Sequence, residues 1–306
     1  MVFGLDVLIL LTLISLAAST VNGGLGYGYS SLSTPLALLV LVNRVINPVY
    51  VAVEACMNTV MLALTGKANI HSTFRRVLPI LVTLVPGVVI GSLILSAVSA
   101  TWMKLAVYAV ILPFILFQAA GLRRPIRSEA KAGAPLGLGI GLLYSTTTIS
   151  GPPIALFWNN QGLAKNEFKA AIAQVRIAES YLTLGAYYFL GLFTVTSFQL
   201  FTWVAPPVLV GIPLGFFLIK HIRVETFRRV CMSFDAWIVG YGLSVVIGTL
   251  FGLIQLGFGL LATAVGIDAW LLYMFFTGRQ LPLASGTKPP VTPRPVLSYN
   301  GPEVPD

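Results

Sequence analysis

Residues Ser145 to Ser150 read STTTIS, five hydroxyl side chains out of six, and Gly151-Pro152-Pro153 follow directly. Strongly apolar runs enter and leave this stretch. In hydrocarbon such a break is costly, because each exposed N–H or C=O loses several kcal/mol (roughly) of hydrogen bonding; it is tolerated only where it lines an enclosed cavity. Pro152 or Pro153 suits the first position of a restarting helix with Ser150 as its cap. Bare N–H groups and the positive end of that helix then face the break, which favours an anion there. Two uses are open to Ser145, Thr146, Thr147, Thr148 and Ser150: donors to an anion, or caps that rebond freed carbonyls. Five hydroxyls exceed what two caps require. Gly151 allows close backbone approach, and Gly151 and Pro152 join the candidate binding set. An opposing set lies near the N-terminus, at Tyr27, Tyr29, Ser30, Ser31, Ser33 and Thr34, although a tyrosine also serves as an interfacial anchor.

Charge inside apolar segments is the second chemical signal. Arg176 and Glu179 sit three residues apart on one helical face. A charge at bilayer depth costs on the order of 3 kcal/mol or more, so both must face protein or water. Arg176 can attract an anion while Glu179 takes or gives a proton; equally, the two can form an ion pair that holds helices in register. Glu54, with Asn58 one turn on, is placed to pair with Arg176 or to act as a second protonatable group. Asp235 is expected to neutralise Arg228 or Arg229. Cys56 and Cys231 lie in apolar segments and read as buried thiols without a disulfide. His71 and His221 fall at loop ends and read as solvated.

The elements that must position these groups are membrane helices. The chain is 57% hydrophobic and 9% charged, a composition that excludes a soluble domain of this size. Its net charge of +9 sits in short clusters between apolar runs, which fits the positive-inside rule rather than nucleic-acid binding. The pattern predicts a first helix over 2–21, a short apolar piece at 36–42, and a loop at Asn43-Arg44 and Asn47-Pro48. Helices follow at 49–65, 77–98 and 102–121. A second series runs 134–147, 153–160, 168–190, 200–219 and 229–251, and a final helix spans 253–276. The Pro-rich remainder reads as a disordered tail.

The two series look alike. GGLGYGYSSLSTPLAL from Gly23 aligns with GLLYSTTTISGPPIAL from Gly141 at a shift of 118, and Gly87–Gly91 aligns with Gly211–Gly215 at a shift of 124. This points to an internal duplication. Basic segments at 67–76, 121–131, 159–169 and 220–229 are expected in the cytoplasm, and the uncharged 98–101 and 191–199 outside. The copies are then inverted. The fold class expected is an all-α polytopic membrane protein of two inverted repeats, with broken hairpin helices meeting near the midplane and one extra C-terminal helix. Its units are 1–125, 126–252, 253–277 and a cytoplasmic tail, 278–306. Arg44 falls on the side the rule disfavours.

These residues also carry a likeness. SGPPIALFWNNQGLAKNEFKAAIA, Ser150 to Ala173, resembles the second-half signature of the TauE/SafE family of sulfite and organosulfur-anion exporters. Gly23 to Gly28 resembles the family's first-half glycine stretch, except that Tyr27 and Tyr29 interrupt it and Ser33-Thr34-Pro35 replaces the usual Gly-Gly-Gly. Gly211 to Gly215 and Phe227-Arg228-Arg229 resemble later family motifs. The resemblance implies export of a small sulfur-containing or carboxylate anion across the cytoplasmic membrane; the protein is expected to be multi-pass with its C-terminus in the cytoplasm.

The expected function is thus secondary transport of an anion, with proton coupling through Glu54 or Glu179 as one form of it. An anion channel is the nearest alternative. An intramembrane hydrolase with Ser150 as nucleophile is the rival from another class, and it needs a base within reach of the hydroxyl. No catalytic residue, metal ligand or cofactor is expected; the partners are a small anion and the lipid bilayer, not nucleic acid.

Overall fold

A computed structural model describes residues 3–63, 67–120, 129–161, 163, 165–222 and 224–277. The described residues form helices and connecting turns, with no strand among them. In chain order they are α1 (Leu5–Leu25), α2 (Tyr29–Ala37), α3 (Asn43–Ala63), α4 (Lys67–Ala97), α5 (Ala100–Ala119), α6 (Glu129–Thr147), α7 (Gly151–Asn160), α8 (Lys165–Phe189), α9 (Val195–Val204), α10 (Pro206–His221), α11 (Val224–Phe251) and α12 (Ile254–Phe276). Seven helical stretches among the described residues are long and apolar enough to cross a membrane, with α9 and α10 counted as one. The chain is an all-α, multi-pass membrane protein. Its outer surface carries Phe189, Leu209, Val195 and Tyr188, all more than two-thirds exposed, as lipid contact requires.

Both broken helices are present, with differences from expectation. The first break is short: α1 continues to Leu25, and the chain turns through Gly26 and Gly28, whose φ values of 82° and 108° suit glycine. The helix therefore restarts at Tyr29, ahead of the apolar piece expected at 36–42, and Pro35 lies inside α2. The second break is Thr148 to Ser150, and α7 begins at Gly151 with Pro152 in its first turn. Residues 43–48 are helix, not loop. Pro48 sits in the second turn of α3, where it forfeits only the bond to the Arg44 carbonyl. Residues 67–76 likewise belong to α4. Exposed Arg44 instead caps another helix: its guanidinium donates to Leu95 O at 3.0 Å, to Val98 O at 3.2 Å and to Ser96 O, at the C-terminus of α4. That is where a cation is favoured, so the charge that opposed the orientation rule has a local use. Cys56 is exposed rather than buried, Cys231 is half-buried, and both are free. The expectations for residues 121–128 and for the tail 278–306 fall outside the described residues.

The aligned glycine blocks do the same mechanical work twice. α4 lies along α6 and α10 along α1. A methyl at Gly87 or Gly91 would strike the backbone of Leu138 or Leu142 on α6; one at Gly211 or Gly215 would strike Leu16, Thr20 or Gly24 on α1. Absent side chains let the backbones touch, the usual device where lipid supplies no hydrophobic drive. Between these pairs, α3 and α8 pack side by side. Asn47 lies beside Tyr187 and Asn58 beside Ser180, so the two helices run antiparallel. They bring the charged groups to the centre.

Candidate functional site

Glu54, Arg176 and Glu179 meet in the core, each 1% exposed or less. The Arg176 guanidinium donates from Nη2 to Glu54 Oε1 at 2.5 Å and from Nε to Asn58 Oδ1 at 3.3 Å. Glu54 is fully engaged: Ser30 donates to Oε1 at 2.9 Å and Tyr144 to Oε2 at 2.7 Å. Asn58 is held in turn by its bond to Ser180 Oγ at 2.7 Å. Glu179 is less so. Ser150 donates to its Oε1 at 2.5 Å, Arg176 Nη1 stands 4.0 Å from that oxygen, and its Oε2 has no hydrogen-bond partner. Arg176 Nη1 also has none, and it points toward Gly151, whose added methyl would lie 3.5 Å away. One edge of the guanidinium is consumed by Glu54 and Asn58; on the other, Nη1 makes no hydrogen bond and faces Glu179 and Gly151.

Arg176 also borders a cavity. It holds about 140 Å3 and is lined by Asn58, Lys169, Phe168, Phe216 and the Leu25–Gly26 end of α1, among others. It is large enough for several waters or a small oxyanion. Met61, Phe168 and Lys169 put it toward the ends of α3 and α8 that adjoin the basic segments.

The two polar tips do meet. Thr34 and Thr148 share a hydrogen bond of 2.7 Å across the molecule, and the Tyr27 ring lies against Gly151. Tyr27 and Tyr29 are buried, so neither is an interfacial anchor. Tyr29 bonds Ser15 at 3.0 Å and packs edge-on to Tyr50. Ser31 donates to Gly28 O at 3.0 Å, and Ser33 Oγ is buried without a partner.

The hydroxyls of the second break are directed largely at backbone. Ser145 donates to Gly141 O at 2.7 Å, Thr146 to Leu142 O at 2.8 Å, Thr147 to Leu143 O at 2.7 Å and Thr148 to Thr147 O at 2.6 Å. Thr147 Oγ1 also accepts from Ile149 N at 3.0 Å and so closes the turn. Thr148 takes φ 62°, a conformation that costs a β-branched residue on the order of 1–2 kcal/mol and marks a constrained site. Ser150 occupies the N-cap position of α7, but its side chain makes no cap bond; it serves Glu179 instead. In the first turn of α7, Pro152 and Pro153 carry no N–H and Ile154 N already bonds Ser150 O, so Gly151 supplies the bare donor.

Some partners were not legible. Tyr144 lies in α6 one residue before the hydroxyl run, but only the folded chain turns it onto Glu54. Ser180 is Arg176 plus four, a spacing that could have been read. Asp235 does not neutralise Arg229. That role belongs to Asp268 on α12, 2.9 Å from Arg229 Nη2, with Trp237 Nε1 donating to Oδ2 at 3.1 Å. A lone acid in the last apolar helix was the available signal.

The model of one protein family, described as sulfite exporter TauE/SafE, matches residues 11–241. No curated protein and no solved structure matches the chain. The matched segment runs from α1 into α11 and contains every residue of the Glu54–Arg176–Glu179 cluster; α12 lies beyond it.

Proposed function

Because the chain belongs to the TauE/SafE family of sulfite exporters, a family of membrane transporters, we propose that it exports a small anion, sulfite or a related sulfonate or carboxylate, across the cytoplasmic membrane. The observation that carries this reading is the half-used guanidinium of Arg176. Its Nη2 and Nε are held rigidly by Glu54 and Asn58, while Nη1 makes no hydrogen bond, and the residue lines a cavity. A fixed planar donor with one free edge suits two oxygens of an oxyanion. Lys169 on the same cavity wall would draw the anion in from the cytoplasmic side, and the Thr34–Thr148 contact closes the far side.

In this reading Gly151 N–H and the positive end of α7 add to Arg176. The hydroxyls of both tips shape the site and yield a donor when the tips separate. Glu54 is the fixed counter-ion. Glu179 is the carboxyl that takes a proton as the anion arrives, because two carboxylates and an anion around one guanidinium would leave two uncompensated negative charges in a dry core. The reciprocal packing of α4 on α6 and α10 on α1, with α3 antiparallel to α8, supports two inverted repeats, 1–125 and 126–252, followed by 253–277 and a cytoplasmic tail.

A second reading rests on the 2.5 Å bond from Ser150 to Glu179, which has the reach of a nucleophile and its base. A transporter with no catalytic step remains the better account, since this serine lies 0% exposed between the two tips.

The deciding experiment is uptake by liposomes holding the purified protein, screened over sulfite, sulfate, thiosulfate, sulfonates and small carboxylates. Saturable uptake of at least one anion is expected. No uptake of any of them by well-folded protein overturns the proposal. Flux far above carrier rates assigns a channel, and hydrolysis sensitive to Ser150→Ala without flux assigns an enzyme.

A further inference from the structure

A second cavity also borders the α1–α2 break. It holds about 20 Å3, room for roughly one water, and its wall includes Leu25, Tyr27, Gly28, Ser31 and Asp235. Leu25 lines both this cavity and the one at Arg176. Asp235 is 8% exposed, and its Oδ1 has no hydrogen-bond partner. It stands six residues beyond Arg229, about 9 Å along the axis of α11 from the basic end of that helix, and so inside the apolar part of the span. An acid at that depth, lining a cavity and not consumed by a structural bond at Oδ1, points to ion or proton traffic.

From this juxtaposition we infer that Asp235 is the site of the coupling proton, set across the glycine-flanked Leu25–Gly28 segment from the anion at Arg176. The inference rests on the transport reading above and extends it: Glu179 balances charge locally, whereas Asp235 carries the proton of the transmembrane cycle. The proton goes from water in the small cavity to Oδ1. The linkage is mechanical. Gly26 borders the anion cavity and Gly28 the proton cavity, and both sit at positive φ. A shift of this segment therefore changes both walls together, and binding at one side alters affinity at the other by the same factor.

The groups that face Asp235 are few. Arg228 and Cys231 share its helix and its cavity, and Tyr27 comes from the break. From α2 comes the hydroxyl of Ser31; from α5 and α7 come Ile115 and Pro152, which do not titrate. On α12, Asp268 is engaged with Arg229.

The test uses the full chain in proteoliposomes with radiolabelled sulfite, or whichever anion the screen finds. The wild type should accumulate the anion under an imposed pH gradient and exchange it at equal pH. Asp235→Asn should keep exchange near the wild-type rate and lose pH-driven accumulation by about tenfold, a size typical of coupling between two sites. Asp235→Glu, which keeps a titratable group, should retain accumulation with a displaced pH midpoint, and it reads the proposal even where the Asn variant folds poorly. Accumulation by Asp235→Asn equal to wild type overturns the inference. So does accumulation driven by a sodium gradient and indifferent to pH. Absence of exchange in the wild type would instead remove the transport reading itself.

Discussion

Arg176 shows how much a buried charge depends on what surrounds it. Its bond to Glu54 is braced by Ser30, Tyr144, Asn58 and Ser180. Removing the cation strands that carboxylate, so Arg176→Met should destabilise the protein by about 3–5 kcal/mol. Arg176→Lys keeps the charge but not the fork, so it should fold while the half-saturating anion concentration rises by about tenfold or more, the equivalent of one lost charged hydrogen bond. Thermal unfolding and uptake, measured on the same preparations, separate the two effects; wild-type affinity in the Lys variant removes Arg176 from the anion site. Gly151→Ala tests the neighbouring position. Its methyl would stand 3.2 Å from the Tyr27 ring and 3.5 Å from Nη1, closing the space beside that nitrogen. Anion affinity should fall severalfold with little loss of stability, and unchanged affinity would place the anion elsewhere.

At the scale of elements, two kinds of contact hold the helices. The first is glycine packing. Gly91→Ala or Gly215→Ala would push a methyl into the facing backbone, with an expected cost of about 1–3 kcal/mol from overpacking; melting in detergent measures it, and a neutral result would mean that α4–α6 and α1–α10 are looser than the contacts imply. The second is the buried pair between α11 and α12. Asp268→Leu leaves Arg229 without its counter-ion and should cost about 3–5 kcal/mol, whereas Arg229→Met with Asp268→Leu should recover most of that. A double variant as unstable as the single one would show that the pair contributes more than mutual neutralisation.

For the whole molecule, orientation is the open quantity with a direct test. Single cysteines at Ser72 and Val195, in a protein with Cys56 and Cys231 replaced by serine, should label from opposite sides: Ser72 from the cytoplasm and Val195 from outside. Labelling of both from one side would sink the inverted arrangement, because the two positions occupy equivalent places in the two copies.

What the amino-acid order determined alone was everything governed by local patterning. Apolar run length set the membrane helices, the Gly-rich and STTTISGPP stretches marked the breaks, and self-similarity revealed the repeated glycine blocks, because these signals live in neighbouring residues and their spacing. Boundaries were less secure. The apolar piece read as starting after Pro35 and Pro48 read as loop, yet each proline costs only one backbone bond in a helix whose neighbours compensate. Only the tertiary structure decided the partners. Glu54 meets Arg176 across 122 positions, and Arg229 chooses Asp268 over Asp235. Such choices depend on helix rotation and depth, set jointly by every packed face. The same holds for the hydroxyls: composition supplied the donors, but the fold decided that most of their hydrogens close the break on itself and that the free edge belongs to Arg176.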